Sequence, residues 1–583
     1  MAPQPLDTDV LIIGAGMSGL GLAVQLLRNH KTDNFELIEK TEDVGGTWLV
    51  NTYPGCGCDV ASHFYSYSFE LNPDWSRKFS MQSEIQAYFR GVAEKYGIDH
   101  RTRFGKMVET ARWKEEGQFW EVVVKDVKTG EKVVKRSRVL VSAVGNLSVP
   151  RPCEIPGNEE FQGRLFHSAQ WDNSFDWENK DVVVLGNGCS ATQFVPILAQ
   201  TGKQVTQFSR QAQFLAERTN PTYSSTFKAV MRYVPLAQRL YRFKLYADME
   251  RDFAGFDIES GKPIRQALAQ ENEAYVKAKA PERYWDALIP KHEIGCKRKV
   301  LDTDYLASLH KPNMELIHDD KVERITPTGV VTSSGREIHA DAIVLATGFE
   351  VHRMLTPMEI VGQNGTTINE YWDNAHEGAA QAYLGTCMPG FPNFFTLMGP
   401  NTVTGHLSVI YTVECQIGFL IRLIDPILKS LRAERSTKLL PSLAPPATAV
   451  DVKAIAAKKD SESMQTKLRK LVWASGCTSW ALDPKTGKNI AMYPDWQFWF
   501  WWRSIFIPGQ DFEYKDGGSG KVRSLAVGGW KNLRDYFVAS VVTGATVAWM
   551  LNLRRNGRLE GVEGAVRRVL RQGLEQGRGL LRA

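Results

Sequence analysis

The chain has 583 residues, enough for several domains with ample core. Its 71 basic and 65 acidic residues leave a net charge of only +6, which gives little support to nucleic-acid binding. The eight cysteines are scattered apart from Cys56 and Cys58, a pattern expected of free thiols in a reducing compartment.

The N-terminus, MAPQPLDTDVLIIGAG, runs straight into an apolar strand at 10–13 without a basic-then-apolar leader, so no secretory signal is expected. The strand opens into Gly14-Ala-Gly16-Met-Ser-Gly19, followed by a helical pattern to about residue 30. A second strand at 35–38 ends at Glu39, twenty positions beyond the last glycine. Such glycines let backbone amides approach a pyrophosphate at a helix N-terminus, and the acid can accept from a ribose hydroxyl.

Next comes GGTWLVNTYPGCGCD at 45–59, a glycine- and proline-rich loop suited to lie near a flat ligand. Trp48 and Tyr65 are available to pack against that ligand. Asp59 is the only carboxylate within the loop, and turn capping is the commoner use of such a residue. Residues 81–97 read as an amphipathic scaffold helix, with Ile85, Tyr88, Phe89, Val92 and Tyr96 on one side. Strand-like runs at 119–124 and 139–144 follow, and the proline-rich exit around Pro150 and Pro152 marks a domain boundary.

The stretch FQGRLFHSAQWD at 161–172 has neither helical nor strand periodicity, and by itself reads equally well as a linker. Beyond it, a strand at 181–185 leads into Gly186-Asn-Gly188-Cys-Ser190-Ala191, with a second strand at 204–209. Here Ser209 and Arg210 stand where the first motif has Glu39. Without the repelling carboxylate, and with a cation to pair a 2′-phosphate, the second nucleotide is expected to be NADPH rather than NADH.

Residues 222–290 look like a helical insertion. Gly295-Cys-Lys297-Arg298 follows, a cation pair that would ordinarily be a solvated dipeptide. A strand ending in Ala346-Thr347-Gly348-Phe349 is expected to return the chain to the first nucleotide domain. The segments at 391–406 and 475–480 are loop candidates. Near the end, 537–553 is free of charge, about the shortest run able to span a bilayer. Arg554, Arg555 and Arg558 follow it, then a basic amphipathic pattern, so surface association with a membrane is as reasonable an expectation as crossing, with packing on the core as the plain alternative.

Taken together, the two GxGxx(G/A) turns, GGTWLVNTYPGCGCD, the complete FxGxxxHxxxW(D/P) pattern at 161–172, GCKR and ATGF resemble the Baeyer–Villiger monooxygenases, in order, from about residue 8 to about residue 510. The loop wording is closest to fungal members used in secondary metabolism. The resemblance implies an α/β fold with two Rossmann-like domains for FAD and NADPH, a helical insertion and a C-terminal helical tail. The expected division is 1–150 with 341–515 for FAD, 151–221 with 291–340 for NADPH, 222–290 as the insertion and 516–583 as the tail.

By the same resemblance, Gly14, Gly16, Gly19 and Glu39 hold the FAD adenosine half, while Thr47, Trp48, Asp59 and Tyr65 line the flavin. Gly186, Gly188, Ser190, Ala191, Ser209, Arg210 and Lys297 hold NADPH. Arg298 matches the catalytic arginine, with Asp59 orienting it, and no metal ligand is assigned. Phe161, Gly163, His167 and Trp171 form the fingerprint that couples domain movement to catalysis. The reaction implied uses O2 and a small ketone, inserting one oxygen beside the carbonyl through a C4a-peroxyflavin in the cytoplasm. The alternatives are sulfoxidation or N-hydroxylation by the same flavin, and a disulfide reductase built on Cys56 and Cys58, whose CxC spacing argues against it.

Overall fold

The computed structural model describes residues 5–352, 354–435, 447–477, 479–516 and 522–523. Two sheets organise them. In the first, the apolar strand Thr8–Ile13 is buried along its whole length and pairs in parallel with Phe35–Ile38 on one side and Lys132–Ser142 on the other. An antiparallel meander, Lys106–Lys114, Phe119–Asp126 and Lys132–Ser142, extends this sheet, and Phe394–Thr396 joins its edge of Lys132–Ser142 in parallel. Continuous Val/Ile/Leu runs suit strands covered on both faces. The helix Met17–Arg28 covers one face and packs on the long helix Val409–Arg435.

The second sheet is five-stranded and wholly parallel, in the order Met314–Ile317, Gln204–Phe208, Asp181–Leu185, Ala342–Leu345, Arg164–His167. The ambiguous stretch at 161–172 therefore supplies an edge strand, Arg164–His167, followed by a single 3₁₀ turn. Four residues of strand are too few to show a period, and the pairing partner comes from far along the chain. Gly163 is needed at this edge because a Cβ there would lie 2.4 Å from the carbonyl oxygen of Asp341.

Because Ala342–Leu345 belongs to this second sheet, the chain does not return to the first unit at residue 341 as expected; the crossing comes after Leu345. It runs beside the outgoing crossing: the amide of Arg151 donates to Gly348 at 3.0 Å, and that of Glu350 to Val149 at 2.9 Å. The insertion is bracketed by the parallel strands Leu215–Glu217 and Val300–Asp302 and is helical, with Ser225–Tyr233, Ala237–Glu250 and Lys262–Lys279 as its longer elements.

After the long helix, Ala449–Val452 pairs antiparallel with Phe512–Lys515, and Asn393 ties this ribbon to the first sheet through the carbonyl of Val450. The apolar run 537–553 and the basic pattern after it lie outside the described residues. Among the described residues, no helix is long and apolar enough to cross a membrane.

One cysteine expectation is corrected. Cys296 and Cys477, 181 residues apart, form a disulfide that ties the GCKR loop to the loop at 475–480. Such separation hides the pairing from spacing rules. The other six cysteines are free.

Candidate active site

The site lies where the two sheets and the insertion meet. The first glycine turn connects the end of Thr8–Ile13 to the helix Met17–Arg28. A Cβ at Gly19 would sit 1.9 Å from the carbonyl oxygen of Gly14, so only glycine lets the helix start this close to the strand. Gly16 caps the helix without any side-chain hydrogen bond, leaving the N-terminal amides available to an anion. Glu39 is buried at the end of Phe35–Ile38. One carboxylate oxygen accepts from the amide of Ala15 at 2.7 Å and the other from the amide and hydroxyl of Thr41. An acid thus sits against the glycine turn, an arrangement that fits the ribose side of a dinucleotide.

The loop at 45–59 folds over this turn. Thr47 begins a one-turn helix, Thr47–Val50, and is exposed, whereas Trp48 is buried. The Trp48 indole donates to the Tyr65 hydroxyl at 3.1 Å, and their rings meet edge to face at 5.6 Å. Burial holds the Tyr65 phenol well above its usual range, so it stays a neutral donor.

The second glycine turn repeats the design. Gly188 has open space where a Cβ would stand, and the helix Ala191–Thr201 begins after Ser190 without a side-chain cap. At the end of the neighbouring strand the Ser209 hydroxyl is buried and unpartnered, and Arg210 is exposed beside it. Lys297 donates to Gln211 at 2.5 Å; burial, and then the charge of Arg210, lower its pKa. Two cations close enough to repel each other, next to an orphaned hydroxyl, fit a phosphate.

Arg298 and Asp59 come together from opposite ends of this seam. Arg298 Nε donates to Asp59 Oδ2 at 2.6 Å and Nη2 to Oδ1 at 2.9 Å. Asp59 raises the Arg298 pKa further above its ordinary value, so the guanidinium is charged at any working pH. About a third of each side chain remains exposed. Turn capping and a solvated dipeptide are both set aside by this geometry.

The fingerprint residues take different positions. His167 is buried, its Nδ1 accepts from the amide of Ala169 at 3.0 Å, and its ring meets Phe349 of the return crossing at 5.7 Å. Burial lowers its pKa and keeps it neutral. Trp171 packs between Phe166 at 5.2 Å and Phe194 at 5.3 Å; Phe194 in turn meets Tyr53 of the first loop at 5.9 Å. Phe161 is only partly buried on the far side of Gly163. None of these four is bonded to Arg298 or Asp59.

Sequence reasoning missed Gln193. Its amide accepts from the Tyr53 hydroxyl at 3.1 Å and donates to the carbonyl of Gly57 at 3.0 Å, strapping the first loop to the second nucleotide helix. Its place two residues after Ala191 gave no sign of a contact 136 residues away. Arg218 was missed as well; it donates to the carbonyl of Cys58, beside Asp59. Cys56 and Cys58 are buried free thiols, and burial pushes Cys56 up to about 11 and Cys58 higher still, the reverse of what an attacking thiolate needs.

Two dinucleotide folds joined through one aromatic seam, with a fixed guanidinium between them, define a two-nucleotide oxidoreductase of the flavoprotein oxygenase class. Residues 7–246 match the flavin-binding monooxygenase-like family. The chain is 35% identical over 508 residues to a Baeyer–Villiger monooxygenase of Pseudomonas aeruginosa, covering 85% of this chain and 91% of that one. It is 36% identical over 447 residues to the FAD-binding monooxygenase ktnD of Aspergillus niger, covering 74% and 71%. Its fold matches that of OTEMO in complex with FAD and NADP, with a TM-score of 0.75 at 24% identity over 88% of this chain and all of that one. The chain belongs to the Baeyer–Villiger monooxygenase family.

Proposed function

We propose that this enzyme takes a small ketone and O2 and returns the ester or lactone, with NADPH as reductant and FAD as the bound cofactor. The observation that carries the reading is the Arg298–Asp59 pair, placed between two nucleotide-binding turns. Bound FAD, reduced by NADPH, supplies the centre that activates O2. Per turnover, one oxygen atom enters the C–C bond beside the carbonyl and the other leaves as water.

The protein's own groups do the positioning and the electrostatics. Gly14, Gly16 and Gly19 present amides to the FAD pyrophosphate and Glu39 faces its ribose, while Thr47, Trp48 and Tyr65 line the flavin. Gly186, Gly188, Ser190 and Ala191 do the same for the NADPH pyrophosphate, and Ser209, Arg210 and Lys297 take the 2′-phosphate. Arg298 is a permanent cation whose two hydrogen bonds to Asp59 fix its plane, and it stabilises negative charge developing on oxygen during the transfer. Asp59 holds the guanidinium when no substrate oxygen is present and partly neutralises it. Residues 1–150 and the chain from after Leu345 to about 515 form the FAD domain, and the second sheet forms the NADPH domain. We further propose that the charge-free run 537–553 with the arginines after it associates with a membrane, lying on its surface or crossing it. Finding all activity in a detergent-free high-speed supernatant would refute that last assignment.

The test is NADPH consumption with and without a panel of cyclic, linear and polyketide-like ketones, with product masses measured. Ketone-stimulated consumption and a product heavier by one oxygen are expected. A thioether oxidised to its sulfoxide while every ketone is returned unchanged would assign the site to heteroatom oxidation instead.

A further inference from the structure

The helices Ser225–Tyr233 and Ala237–Glu250 form a hairpin whose base is fixed and whose tip is apolar and exposed. At the base, the His63 ring is enclosed edge-on by Tyr223, Phe227 and Tyr241, at 5.3, 5.6 and 5.3 Å, and Arg242 donates to the Ser66 hydroxyl at 2.9 Å. At the tip, Tyr233 is 74% exposed, Leu236 65% and Leu240 66%, with Val234 half exposed between them. Leu236 also has φ of 65°, a left-handed conformation that costs a branched aliphatic side chain free energy. Leucine at such a position brings no folding advantage: it is strained, and most of its surface is left in water. Apolar side chains clustered at an exposed tip mark a contact surface.

The charges around the tip identify what it meets. Between Glu217 and Asp248 there is no acidic residue, while Arg218, Lys228, Arg232, Arg239, Arg242 and Lys244 are all cations. Arg218 and Arg242 point inward to the backbone near the active site, to the carbonyls of Cys58 and His63. Arg232, Arg239 and Lys244 are exposed on the flanks of the apolar tip; Arg232 is paired with Asp74 and Lys244 with Asp248, whereas Arg239 has no acidic partner among the described residues. An apolar ridge fringed by cations is the signature of a segment lying in the headgroup region of an anionic bilayer.

We propose that this hairpin docks the enzyme on an anionic lipid surface, with Tyr233, Val234, Leu236 and Leu240 inserted among the headgroups and Arg239 on lipid phosphates. The base that anchors the hairpin adjoins the loop carrying Asp59 and Tyr65, so docking sets the active-site entrance near the membrane. The inference requires neither the reaction assigned above nor the C-terminal run 537–553.

The full-length chain is to be sedimented with phosphatidylcholine vesicles containing about 30% phosphatidylserine, and with phosphatidylcholine alone. Stronger binding to the anionic vesicles is expected, with slowed amide exchange across 229–240 when vesicles are added. The double variant Leu236→Asp/Leu240→Asp alters only exposed positions and is expected to partition about tenfold more weakly. Equal partitioning of variant and wild type would overturn the proposal. So would sedimentation with vesicles that leaves 229–240 unprotected, because the C-terminal run would then account for binding. Protection that grows with protein concentration in the absence of lipid would give the tip to a second copy of the chain, and would also overturn it.

Discussion

Arg298 and Asp59 are 239 residues apart in sequence, yet the guanidinium grips both carboxylate oxygens, at 2.6 and 2.9 Å. The pair is part-buried at the seam between the two nucleotide-binding units. Geometry of this kind depends on the planar fork of arginine and not on charge alone.

Arg298→Lys keeps the charge and loses the fork. Ester formation is expected to fall on the order of a hundredfold, the cost of losing one well-placed transition-state donor, while NADPH is still consumed. Arg298→Ala should make no measurable ester. Asp59→Asn is expected to lie between wild type and Arg298→Lys, because the cation remains but its plane is no longer set. Product analysis beside NADPH depletion checks all three, and normal ester yield from Arg298→Ala would remove the arginine from the chemistry.

Arg210→Gln removes one of the two cations assigned to the 2′-phosphate. The KM for NADPH should rise about tenfold or more, the scale of one charge-assisted hydrogen bond, with little change for NADH. Initial rates with both nucleotides decide the point. An equal rise for both would place Arg210 outside nucleotide discrimination.

Trp171 fills the space between Phe166 and Phe194, and Phe194 reaches Tyr53 in the first loop. Trp171→Ala is expected to destabilise by about 3–5 kcal/mol and to raise NADPH consumed per ester formed. Trp171→Phe restores much of the packing. If coupling recovers in step with Tm in that variant, Trp171 acts through packing alone; recovery of Tm without coupling would support its part in timing the reaction.

The Cys296–Cys477 disulfide leaves six of the eight cysteines as thiols. Thiol titration of the denatured, unreduced chain is expected to count six, and eight would mean the two sulfurs are unlinked. Cys477→Ser removes the tie to the loop bearing Arg298. It should lower Tm, with a loss of up to about 5 kcal/mol on the loop-entropy scale for so long a closed segment.

Local signals were legible wherever backbone conformation and immediate neighbours decide the structure. The two glycine turns, the strands Phe35–Ile38 and Asp181–Leu185 and the helix Gln82–Tyr96 all stand where glycine spacing and apolar periodicity put them. The replacement of Glu39 by Ser209 and Arg210 was equally visible, because it sits at a fixed offset from a recognisable motif.

What the sequence alone determined, then, is the pair of dinucleotide turns and the inventory of charged and aromatic groups near them, since these depend on short-range sterics. Only the tertiary structure decided which groups meet. It put Ala342–Leu345 in the second sheet, closed the Cys296–Cys477 link and strapped the first loop through Gln193, and it gave the two-point geometry of the Arg298–Asp59 pair that the family resemblance implied. Each of these contacts closes a loop of more than a hundred residues, and over such distances local propensity carries no information about the partner.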